Sequence, residues 1–87
     1  MLLLMLAASA AAQDSAAGWL EMGQASLLNG SFQEAVESFD RALKFDPENA
    51  SAWGGKATAL TRLGRYKMAE LYFDYALAKD PKNANLW

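Results

Sequence analysis

The chain has 87 residues, a formal net charge of −2, and neither histidine nor cysteine. The two missing residue types exclude disulfides, thiol chemistry, imidazole acid–base catalysis and the common zinc sites. We therefore expect no enzyme activity, no catalytic residue, no cofactor and no bound metal. Nucleic acid is not an expected partner either, because the sequence has no basic stripe with interleaved aromatic residues.

The first predicted element is an apolar segment, residues 1–15. Leu2 to Ala12 are apolar or small except for Ser9, and eleven such residues are too few to cross a bilayer, which takes about 20. Two interpretations stay open. The segment is a secretory signal peptide, although no Lys or Arg precedes the apolar run, or it is a retained apolar helix that packs on another surface. A signal would make the protein exported or cell-surface, with only transient membrane contact through this segment; without one, localisation is undefined.

The remainder of the sequence repeats itself with a period of 34 residues, most visibly at Trp19, Trp53 and Trp87. A fixed period of this length is typical of a solenoid, in which each unit buries its apolar face against the next. We expect an all-α solenoid of antiparallel helix pairs. The predicted helices cover residues 16–29, 32–45, 50–63 and 66–80.

Turn residues separate these helices. Gly30 and Gly64 supply the left-handed conformation that ends a helix. Ser31 and Glu34 form a capping-box pattern at the start of the second helix, and Asn49 is placed to cap the third. The proline after each pair, Pro47 or Pro81, stops the helix before it.

Helical spacing also predicts the inward faces. Small residues there would let the helix axes approach closely, while Trp and Phe fill the space beside them. The inward residues are Trp19, Gly23, Ser26, Ala35, Phe39 and Ala42 in the first pair, and Trp53, Ala57, Leu60, Ala69, Phe73 and Ala76 in the second.

These positions resemble the tetratricopeptide repeat, with its W-x₂-L-G-x₂-Y, A-x₃-F-x₂-A and terminal proline pattern. Residues 16–49 form one repeat, residues 50–83 form a second, and residues 84–87 begin a third. Two residues depart from the pattern: Ser26 stands where an aromatic is usual, and Lys56 where leucine is usual.

The resemblance implies a non-catalytic scaffold for protein–protein interaction, in which the first helix of each pair lines a concave groove that accepts a protein or peptide. Carried over by position, the groove residues are Ala17, Leu20, Glu21, Gln24, Leu27, Leu28, Asn49, Ser51, Gly54, Gly55, Thr58, Thr61, Arg62 and Asn83. Two interpretations remain for the glycine pair within a predicted helix: tolerated variation, or a flat surface that a partner backbone approaches.

The alternative function is a structural subunit that stacks head to tail with copies of itself into a filament, which would be extracellular if the N-terminal segment is a signal. Residues 16–49 carry six acids and two bases, and residues 50–83 carry three acids and six bases. This asymmetry is either two solvated faces or a complementary pair of ends. The subunit contacts would then come from Leu2, Leu3, Leu4, Met5, Leu6 and Trp87.

Two N-glycosylation acceptor tripeptides begin at Asn29 and Asn49, both in predicted turns. Together with an export signal they predict a glycan, at Asn29 first, because that turn should be the more exposed.

Overall fold

The computed structural model describes residues 15–81, which form four α-helices joined by short turns. Each helix packs on the next one along the chain, and the first also contacts the third. The predicted all-α solenoid of helix pairs is confirmed, and every helix ends within one residue of its predicted end. The predictions for residues 1–14, Asn83 and residues 84–87 lie outside the described residues. The helices are α1 (Ala16–Leu28), α2 (Phe32–Phe45), α3 (Ala50–Arg62) and α4 (Tyr66–Lys79).

The turns within both helix pairs are the same glycine-centred motif. Gly30 and Gly64 have φ of 77° and 79°, a conformation that is strained for every residue with a Cβ. After α1, the Ser31 amide donates to the carbonyl of Ser26 at 2.8 Å and the Gly30 amide to that of Leu27 at 3.2 Å. This pair of bonds is the Schellman motif, and it satisfies carbonyls that the end of the helix leaves without intrahelical partners.

Side chains cap α1 and α3 but not α2. The Asn49 side chain accepts from the Ala52 amide at 3.0 Å, as predicted, and Ser15 accepts from the Gly18 amide in the same way. The capping box predicted at Ser31 is wrong, because Ser31 makes no side-chain cap hydrogen bond. Its backbone, at φ −89° and ψ 70°, closes the turn after α1 and does not adopt the extended conformation of a capping residue.

The core runs along the contact between the helix pairs. Phe39 and Leu60 are its largest fully buried side chains, and alanines fill the remaining space where the helices come close. Three of the aromatic residues predicted to face inward differ from the prediction in degree: Trp19, Trp53 and Phe73 are half-buried and pack against the core from its edge. The indole nitrogen of Trp53 donates to the carbonyl of Pro47 at 2.7 Å, which explains why this ring stays at the rim.

Candidate binding groove

The ring of Phe39 occupies the centre of the fold, between two glycines of neighbouring helices. A Cβ atom on Gly23 of α1 would stand 2.7 Å from the ring, and one on Gly55 of α3 would stand closer still. Carbon atoms in van der Waals contact are about 3.5–4.0 Å apart. Only glycine therefore allows α1 and α3 to approach α2 this closely. The close approach at Gly55 comes from the chain's own Phe39, a reason that neither interpretation of the glycine pair included.

A cavity of about 250 Å³ opens beside this ring, between α1 and α3. Its apolar wall comes from Leu27 and Phe39, and its polar atoms come from Gln24, Ser51 and Thr58. Two lining glycines of α3 contribute backbone only. Binding sites commonly combine an apolar surface with a few polar groups in this way. The full lining is Gln24, Leu27, Phe39, Ser51, Gly54, Gly55 and Thr58.

Six of the fourteen groove residues named from the sequence line this cavity, and the other eight do not appear in its lining. Of those eight, Ala17, Glu21, Leu28 and Arg62 are exposed, and Leu20, Asn49 and Thr61 are half-buried. Asn83 lies outside the described residues. Phe39 was missed as a lining residue because its A-x₃-F spacing indicates a core position, and it is in fact both fully buried and adjacent to the cavity.

Three polar groups named from the sequence already have partners within the chain. The hydroxyl of Thr58 donates to the carbonyl of Gly54, and that of Thr61 donates to the carbonyl of Ala57, each at 2.9 Å. The side-chain oxygen of Asn49 caps α3. The two hydroxyl oxygens keep lone pairs, so both can still accept a hydrogen bond.

Lys56, one of the two departures from the repeat pattern, joins the two helix pairs. Its Nζ lies 2.7 Å from Oδ1 of Asp40 and 4.0 Å from the centre of the Tyr72 ring. Burial lowers the pKa of this ammonium group, but hydrogen bonding and charge attraction from Asp40 and Tyr72 outweigh burial, and the net effect raises the pKa. The Tyr72 ring in turn stacks on Trp53 at 5.6 Å, so cation and aromatic rings form one cluster.

Some of the unevenly distributed charges form ion pairs between the two halves of the same chain. Asp40 pairs with Lys56, and Glu48 pairs with Lys79 at 3.1 Å. In both pairs the acid belongs to residues 16–49 and the base to residues 50–83. The complementary charges thus stabilise the contact between the two helix pairs of one molecule.

The two acceptor asparagines lie in different settings. Asn29 is exposed at the end of α1, whereas Asn49 is half-buried and its side chain caps α3. The order of glycosylation, Asn29 before Asn49, stays a prediction. Among residues 15–81, no group of three or more acidic side chains is placed to hold a metal ion. None of the four described helices has the length and apolar character needed to span a membrane.

Comparison with known proteins agrees with the repeat pattern. The family model described as tetratricopeptide repeat matches the chain twice, over residues 3–50 and 20–84. No curated protein matches the chain.

Proposed function

Because the chain belongs to the tetratricopeptide repeat family, whose repeats generally mediate protein–protein interaction, we propose that it is a non-catalytic recognition module. Its groove takes an apolar side chain of a protein or peptide into the cavity between α1 and α3. The observation that carries the proposal is the cavity of about 250 Å³ beside Phe39.

The lining of this cavity suits a peptide anchor. An apolar side chain of the ligand would leave water and lie against Leu27, beside the buried ring of Phe39. Gln24 and Ser51 at the rim would hydrogen-bond to the ligand backbone, because an amide both donates and accepts and a hydroxyl does the same. Aromatic and long aliphatic side chains most often form such central anchors in protein interfaces.

The test starts from a random peptide display library panned against the full chain. Selected peptides should share an apolar or aromatic anchor. Thr58→Phe, whose ring fills the cavity from α3, should weaken the binding of these peptides at least about tenfold, equivalent to about 1.4 kcal/mol of binding free energy. Glu37→Phe is the matched control, because Glu37 is exposed on α2 and does not line the cavity. Peptides that bind both variants as tightly as the original chain would refute the groove.

The filament alternative gains no support from the repeat geometry. In a direct continuation, α1 of one copy would pack on α4 of another as α3 packs on α2 within the chain. By the 34-residue repeat, Glu21 corresponds to Gly55, and Phe73 corresponds to Phe39. The side chain of Glu21 in one copy would therefore collide with the ring of Phe73 in the other, where Gly55 leaves room for Phe39. A junction built by the N-terminal apolar segment lies outside the described residues and stays a prediction.

A further inference from the structure

The outer face of α4 carries an apolar stripe made of Met68, Leu71 and Tyr75. Their spacing of three and four residues places them on one side of the helix. They are 45%, 46% and 43% exposed. The stripe is separate from the cavity, whose lining comes from α1, α2 and α3.

The corresponding face of α2 is charged. Thirty-four residues before the stripe stand Glu34, Glu37 and Arg41, all exposed. They remain exposed although α3 packs on α2, so the next helix pair of a solenoid does not cover this face. A further repeat after α4 would leave the stripe open for the same reason. The apolar character of α4 therefore calls for a partner other than a continuation of the array.

Two opposite charges flank the stripe along one edge. Lys67 and Asp74 are seven residues apart, which places them on the same side of α4, and both are exposed. Neither takes part in an ion pair with another described residue. If two α4 helices pack antiparallel, Lys67 of each copy faces Asp74 of the other. A parallel arrangement would instead bring Lys67 against Lys67, which repels.

From this self-complementary pattern we infer that two copies of the chain pair through α4 in an antiparallel, two-fold symmetric contact. Met68, Leu71 and Tyr75 of each copy form its apolar centre, and two Lys67–Asp74 pairs close one edge. Such a contact is isologous and stops at the dimer, unlike a head-to-tail stack. One pair of short helices buries less than the roughly 1,600 Å² of a standard interface, so the dimer is weak.

The first measurement is the mass of the full chain in solution, by light scattering or sedimentation, from about 0.02 to 1 mM, the range in which a weak dimer dissociates. We expect the mass to rise from one chain to two and then to level off. Leu71→Glu installs the residue that α2 has at the equivalent exposed position, and it should hold the mass at one chain. Glu37→Gln, on that same face of α2, is the control and should dimerise normally.

Charge reversal tests the antiparallel register. Lys67→Glu or Asp74→Lys alone should weaken the dimer about fivefold, since each disturbs both symmetric pairs, and the double reversal should restore it. A mass of one chain throughout, association that survives Leu71→Glu, or a double reversal that does not restore pairing would each overturn the inference. A circular dichroism spectrum for each variant confirms that the helices persist.

Discussion

The ring of Phe39 lies so close to Gly55 that no side chain fits between them. The two residues belong to different helices, and their contact is the point where the second helix pair docks on the first. Gly23 approaches the same ring from α1. One phenylalanine and two glycines thus set the distance between three helices, and the candidate cavity opens beside them.

Gly55→Ala should destabilise the fold by about 1–3 kcal/mol, the usual cost of overpacking a core. At an exposed helical position the same change would stabilise by about 1 kcal/mol, because alanine is the better helix former. The sign of the effect therefore reports the Phe39 contact, and urea denaturation followed by circular dichroism measures it. In a Phe39→Leu background the penalty should shrink or reverse, and an unchanged penalty would contradict the contact.

Asn49→Ala should cost about 1 kcal/mol of stability, because the Ala52 amide loses its side-chain acceptor at the start of α3. Ser31→Ala is the matched comparison, since Ser31 occupies the equivalent place before α2 but makes no cap hydrogen bond. It should change the free energy of unfolding by only a few tenths of a kcal/mol. Equal losses of stability in the two variants would contradict the conclusion that Asn49 caps α3 while Ser31 does not cap α2.

Gly30→Ala and Gly64→Ala should each destabilise by about 1–2 kcal/mol, because both glycines have positive φ and alanine is strained there. A Cβ at either position would contact nothing within 4 Å, so the loss would come from the backbone alone. Asparagine tolerates this conformation better than alanine does. Gly64→Asn should therefore retain more stability than Gly64→Ala in the same urea titration, and the reverse order would argue against backbone strain.

Lys56→Met should cost about 1 kcal/mol at neutral pH, because it removes the ion pair with Asp40, whose side chain is 44% exposed. The pKa of Lys56 is raised in the folded chain, so its stabilisation is complete below the ordinary lysine value of 10.5 and is lost as the pH rises through the raised pKa. The stability difference between the original chain and Lys56→Met should therefore be constant near neutral pH and shrink above about pH 10.5. A difference that stays constant to higher pH would contradict the pairing.

The helices and their ends were predictable because local signals determine them. The 3.6-residue periodicity, the two glycines with positive φ and the Asn49 cap all act within a few residues of where they stand. Ser31 failed as a cap although its sequence pattern was favourable. The backbone of Ser31 takes part in the turn that ends α1, and this turn holds it in a conformation that does not suit a cap. The Ser31–Glu34 pattern covers only the start of α2 and so does not reveal this constraint from the preceding helix.

The sequence by itself determined the repeat, the helix bounds and the family, because each depends on spacing along the chain. Tertiary structure alone decided which residues contact one another between the helices and which side chains stay exposed. It brought Lys56 to Asp40 and Tyr72, each sixteen residues away. It pressed Phe39 against Gly55 and made that core residue part of the cavity wall. It also left Met68, Leu71 and Tyr75 on an open face of α4. These outcomes depend on how helix axes approach one another in space, and separation in sequence does not specify that distance.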